Sequence, residues 1–208
     1  MISPPAERRH SCRLKMERWR QECRPSSGFT LIELLIVISI IIVLAALVLG
    51  TSGYVQKKGQ RSRAEAEIAA LSAALESYKA DNGIYPHEPG VTDQLDARTA
   101  GNPNIYEDAS FVLYQQLSGQ NADGSEIAGA KSYFSFKPQM LYGARDSSGN
   151  INPVKGVRDP FGNYYGYSTA HQTQPDKGYN PTFDLWSTGG TETLSGGPPN
   201  QVLWIKNW

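Results

Sequence analysis

Cysteine is nearly missing from this 208-residue chain: Cys12 and Cys23 are the only two, both near the start. Two thiols make neither a disulfide framework nor a complete zinc site. Histidine is almost as scarce. Of His10, His87 and His171, none stands at metal-ligand spacing or beside a G-x-S-x-G nucleophile. A phosphate-binding G-x-x-x-x-G-K-[ST] loop is also lacking. With no nucleophile and base that can be named together, the chain reads as a non-enzyme. Net charge is missing too, 20 Lys and Arg balancing 20 Asp and Glu, so the overall basic excess of many nucleic-acid binders is not there. A mean hydropathy of −0.43 excludes a polytopic membrane protein, and 10% aromatic residues exclude wholesale disorder.

These averages conceal zones suited to different solvents. Residues 1–28 hold seven basic residues (Arg8, Arg9, Arg13, Lys15, Arg18, Arg20, Arg24) against three acids. From Phe29 to Gln56 the single charge is Glu33. The 22-residue run FTLIELLIVISIIIVLAALVLG, residues 29–50, makes roughly 33 Å of helix, against about 30 Å of bilayer hydrocarbon. The basic segment before it implies an N-terminus held in the cytoplasm. A secretory signal fits poorly, since its apolar region is shorter and its small-residue cleavage site follows that region.

Beyond Gly50 and Gly53 the pattern turns amphipathic. Ala64, Ile68, Leu71, Leu75 and Tyr78 recur at spacings of three and four, one stripe of a helix. Asp81-Asn82-Gly83 supplies a stop and Pro86 follows. A single helix from about Thr30 to Ala80 would run roughly 75 Å. Residues 51–81 are its amphipathic continuation and residues 82–208 the globular part. The latter has 16 glycines and 10 prolines, and only 43 apolar residues in 127, so the helix stripe is expected to complete its core. A short helix is expected over Asp108–Leu117, and strands over Lys131–Phe136, Asn163–Ser168, Thr182–Ser187 and Val202–Lys206.

The junction Gly28-Phe29-Thr30-Leu31-Ile32-Glu33-Leu34-Leu35 resembles the signal shared by type IV prepilins and type II secretion pseudopilins. That resemblance implies cleavage by a prepilin peptidase after Gly28 and methylation of the new amine on Phe29. Residues 1–28 are then a removable leader, unusually long from Met1; a start at Met16 would leave 13 residues. Gly28, lacking a side chain, lets a protease approach its backbone closely. Glu33 lies four residues from the new amine, on the same helical face. A carboxylate in lipid is costly, and the Phe29 amine of a neighbouring subunit would neutralise it and set the register of helix on helix. The alternative is that Glu33 snorkels to the cytoplasmic headgroups.

Later landmarks sharpen the resemblance. Residues 78–86 (YKADNGIYP) are similar to the end of the long helix in major pseudopilins. Residues 159–167 (DPFGNYYGY), 183–190 (FDLWSTGG) and the closing Asn207-Trp208 follow in the family's order. The implied fold is α+β and type IV pilin-like, with the long helix packed on a small antiparallel sheet of three or four strands. The implied function is a structural subunit of a pseudopilus for protein export. The subunit would be held in the inner membrane, with its globular domain periplasmic, until it is stacked into a helical filament. Implied partners are further copies of the chain, prepilin peptidase, minor pseudopilins, an inner-membrane assembly platform and its ATPase; no nucleic acid is expected. The alternative is a type IV pilus or minor pilin subunit for adhesion or DNA uptake. It would require tyrosines such as Tyr106, Tyr164 and Tyr167 to be exposed for stacking, whereas core positions are expected.

Two departures from the family pattern stand out. The family's C-terminal loop commonly binds calcium through several acids, but here Thr188–Asn200 holds Glu192 alone, with Asp184 just before it. Asp184, Ser187 and Glu192 form a thin set of candidates for an ion that takes six to eight oxygens. The stretch His87–Pro138 is also longer than expected; it either decorates the surface or fills the sparse core.

Overall fold

The computed structural model describes residues 28–191 and 201–208. The chain divides into two compact units, Met1–Val48 and Leu49–Trp208. The leader residues 1–27, both cysteines and Glu192 lie outside the described residues.

Helix α1 is Leu31–Asn82. In the first unit its large apolar side chains from Leu31 to Val48 are all exposed, at 47–84%. In the second unit Ala64, Ile68, Leu71, Ala74 and Leu75 are buried, none above 6% exposed. The helix ends where Gly83, at φ +81°, donates its N–H to the Lys79 carbonyl at 2.7 Å. A left-handed residue at that position suits glycine.

Helix α2, Glu107–Ser118, starts with Glu107 and Asp108 in its first turn, favourable against the helix dipole. It ends at Gly119, φ 70°, whose N–H bonds to the Gln115 carbonyl. Five strands follow: β1 Leu141–Arg145, β2 Ile151–Val157, β3 Gly166–Ser168, β4 Asp184–Ser187 and β5 Ile205–Lys206. The expected single sheet is divided. β3, β4 and β5 form an antiparallel three-stranded sheet in that order, and β1 with β2 makes a separate antiparallel hairpin.

All four β4 residues are buried, and their alternation defines two cores. Leu185 joins Tyr165, Tyr167 and Ile205 on the face that meets the α1 stripe, together with Leu113 and Leu117 of α2. Trp186 joins Tyr164, Trp204, Tyr106 and Leu95 in a second cluster. Side chains at successive strand positions point to opposite faces, so one short strand serves both. Gly166 pairs with Trp186 across the ladder. A Cβ on Gly166 would lie 2.1 Å from the indole, so this position admits the ring only because it is glycine.

The expected strand over Asn163–Ser168 shortens to Gly166–Ser168, and two other expected strands need larger corrections. Lys131–Phe136 is not a strand: Tyr133 and Phe134 both donate their N–H to the Leu117 carbonyl at the end of α2, at 2.8 and 3.0 Å. The aromatic alternation there packs Tyr133, Phe134 and Phe136 against the first core without a ladder. Val202–Lys206 begins as a 3-10 turn over Gln201–Leu203, and only Ile205–Lys206 is strand. The hairpin β1–β2 is unanticipated. Its turn is built on Asp146, whose Oδ1 accepts the N–H groups of Ser148 and Asn150, both at 2.9 Å. The long stretch after the helix fills the core: Thr92, Leu95, Ala97, Ala100 and Tyr106 are buried.

Candidate assembly site

The candidate site is the start of α1. Gly28 and Phe29 precede the helix, both exposed, and Phe29 is 83% exposed. Thr30 occupies the capping position, and Glu33 is the third helical residue. The Thr30 N–H donates to Glu33 Oε2 at 2.9 Å, the Thr30 hydroxyl donates to the same oxygen at 2.8 Å, and the Glu33 N–H donates to Thr30 Oγ1 at 3.3 Å. This is a reciprocal capping box, which satisfies amide donors that the first turn leaves open. The T-x-x-E spacing of Thr30 and Glu33 carries this signal in the sequence.

The geometry has a chemical consequence. The amide that Glu33 accepts from is the one immediately after the Gly28–Phe29 bond. Its carboxylate is therefore held one residue from where a cleaved chain would carry its amine. Both Thr30 bonds fall on Oε2, and among the described residues Oε1 has no donor. Around this carboxylate the helix carries only apolar side chains and Ser39, whose hydroxyl bonds back to the Leu35 carbonyl at 2.8 Å. Among the described residues one helix, Leu31–Asn82, is long and apolar enough to cross a membrane, and none of its most apolar window is buried.

The calcium candidates are placed otherwise. Asp184 is buried, with Oδ2 accepting the Tyr179 N–H at 2.8 Å and Oδ1 the Asn180 N–H at 2.9 Å. The Ser187 hydroxyl donates to Asp159 Oδ2. Among the described residues no three acids, histidines or cysteines gather as a metal would need. Asp184 and Ser187 are thus engaged within the fold, while Glu192 lies outside the described residues.

Asp159 itself is a residue that sequence reasoning passed over as part of a turn. Its Oδ1 accepts the N–H groups of Phe161 and Asn163, each at 2.9 Å. Burial pushes its carboxyl up to about 6, against those hydrogen bonds and that of Ser187, which pull the other way. It ties the 159–163 turn to the end of β4. Burial also raises Asp184 above the usual carboxylate range.

Comparison with known proteins bears on this site directly. A family model described as the prokaryotic N-terminal methylation motif matches residues 23–49. A second, for type II secretion system protein G, matches residues 53–118. The type II secretion system core protein G of Dickeya chrysanthemi is 30% identical over 146 residues, which cover 67% of this chain and 95% of that protein. The chain belongs to the type II secretion core protein G family. The namesake from Pectobacterium carotovorum is 33% identical over 60% of this chain and 84% of its own length. That of Aeromonas hydrophila is 37% identical, but there the match spans 43% of this chain and 64% of the relative. No solved structure matches. This pseudopilin is accordingly a structural subunit and not an enzyme, and its fold is the expected α+β arrangement of one long N-terminal helix with small antiparallel sheets. Its tyrosines suit that role: Tyr106, Tyr114, Tyr164, Tyr165 and Tyr167 are buried, which removes most of the surface that stacking on bases or sugars would need.

Proposed function

We propose that this pseudopilin is cut after Gly28, methylated on the freed amine of Phe29, and held in the inner membrane by residues 29–50. Its N-terminus faces the cytoplasm and its globular part the periplasm. Subunits are then drawn out by an assembly platform and its ATPase and stacked into a helical filament that serves protein export. The observation that carries this reading is the start of α1, a wholly exposed apolar helix whose one carboxylate lies beside the cleavage point.

Exchanging lipid for other apolar helices brings little hydrophobic gain, because lipid tails are as apolar as leucine. Packing and polar pairing then hold helix on helix, and the polar pair is what singles out one register. A charged side chain at the centre of a membrane helix costs about 2.5–3.5 kcal/mol on insertion scales, and less at the end of the run, where Glu33 stands. Its Thr30 bonds satisfy part of that, and the Phe29 amine of a neighbour completes it through Oε1 without dismantling the cap. Such a contact is repeated head to tail and does not close.

Glu33→Gln tests the reading, because the amide keeps the shape and loses the charge. We expect normal cleavage and methylation by mass spectrometry of the N-terminus, and about tenfold less filament in sheared fractions. Wild-type filament yield would sink the pairing, and a mature N-terminus other than methylated Phe29 would sink the processing.

A further inference from the structure

A cleft of about 560 Å³ opens in the second unit between α1 and the end of β4. Its lining combines the apolar Phe161 and Leu203 with Tyr54, Lys57, Lys58 and Arg61 of the helix. The walls are braced. Gln60 Nε2 donates to the Pro160 carbonyl at 3.1 Å, and Arg61 Nη1 donates to the Leu203 carbonyl at 2.8 Å. Gly189, at φ +63°, packs so closely that a Cβ would lie 2.4 Å from that same carbonyl oxygen. Arg61 is also paired with Glu65 at 3.2 Å, while Lys57 and Lys58 have no carboxylate within salt-bridge distance among the described residues.

We propose that this cleft takes the headgroup of an anionic phospholipid from the bilayer that α1 leaves. The proposal rests on the topology given above, and three observations support it. Lys57 is seven residues past Gly50, so helix geometry keeps it within about 11 Å of the end of the apolar run, and the headgroup layer adds roughly 5–8 Å beyond the hydrocarbon. Long lysine side chains reach back across the remainder. Tyr54, 73% exposed and four residues past Gly50, stands where an amphipathic ring marks the membrane interface. From Leu34 to Arg63 there is no acid, and Lys57, Lys58, Arg61 and Arg63 fall within seven residues. In the proposed topology these cations lie on the side that the positive-inside rule leaves poor in basic residues, so insertion does not account for them. A lining that joins apolar side chains to cations suits a phosphodiester with its glycerol and first methylenes. A neighbouring subunit's carboxylate would match the cations but leave Phe161 and Leu203 uncovered.

The test uses the full chain, extracted in mild detergent from membranes containing phosphatidylglycerol and phosphatidylcholine in equal amounts, with retained lipid counted by native mass spectrometry. We expect phosphatidylglycerol to be retained about tenfold over phosphatidylcholine, and Lys57→Gln/Lys58→Gln to abolish the preference with an unchanged melting temperature. Glu33→Gln, which tests assembly, should retain lipid like the wild type, so the two readings fail separately. Labelling a cysteine placed at Lys57 from the periplasmic side checks the topology independently. Equal retention of the two lipids, or an unaltered preference in the double variant, overturns the proposal. So does a double variant that loses filament while keeping its lipid, since the lysines would then serve a second copy.

Discussion

The two stretches of α1 meet opposite surroundings. From Leu31 to Val48 every large apolar side chain is exposed, whereas between Ala64 and Leu75 the apolar stripe is fully packed. The difference lies in distribution as well as content. The first stretch is apolar all round, which no single-sided core can cover; the second is apolar on one face, with Arg63 and Glu65 on others. A packed stripe draws its stability from tertiary contacts, while an all-round apolar helix needs a solvent of its own kind.

The sharpest way to break this comparison is to make the same change in both stretches. Leu71→Ala should destabilise the globular part by about 2–5 kcal/mol in urea unfolding of the detergent-solubilised chain, whereas Leu35→Ala should leave that transition where it is. Similar losses would mean that the first stretch has a protein partner within the chain. Next in size is the contrast between the two capped carboxylates. Glu33 is exposed at a helix start, while Asp159 is buried with its carboxyl raised to about 6. Unfolded, Asp159 titrates near 3.9, so the folded chain binds the extra proton between those values. That contribution is fully present below about pH 4 and is lost as pH rises through 6, about 3 kcal/mol at the limit. Stability relative to Asp159→Asn should therefore increase between pH 7 and pH 5; parallel curves would remove the buried-carboxyl account.

Smaller again is the cap. Thr30→Ala should cost the start of α1 about 0.5–2 kcal/mol, seen as faster amide exchange over residues 31–34 in micelles, with Thr30→Ser restoring protection. No change would show that lipid alone holds that turn. Smallest is chelation: with Asp184 and Ser187 engaged inside the fold, EDTA should move the melting temperature by less than about 1 °C. A drop of several degrees, reversed by calcium, would assign the C-terminal loop a cation despite the engagement of Asp184 and Ser187.

What was legible in the sequence follows the strength of the local signal. The helix, its stripe, its Gly83 stop, α2 and β4 all carry periodicity or caps that survive reading in isolation. The β1–β2 hairpin was hidden because Gly143, Pro153 and Gly156 weaken its strand pattern, and because the register slips around Gly143. Conversely, Lys131–Phe136 alternates like a strand, yet its amides bond to a helix end. Asp159 was invisible as a site because D-P-F-G-N is a good turn anywhere, and only the packing of Ser187 against it shows a buried carboxyl. Glu33 was legible as a lone acid in an apolar run and the T-x-x-E spacing carries its cap, but that both Thr30 bonds fall on one carboxylate oxygen emerged only with the geometry.

β4 has one more consequence, for cooperativity. Leu185 and Trp186 are adjacent residues serving different clusters, so neither cluster can open without disturbing the ladder that frames the other. The globular part should thus exchange its core amides as one class and melt in one step, with no half that loosens first. A subunit drawn from the membrane by its helix would then travel as a single cooperative body, and strain at either cluster would be shared by both.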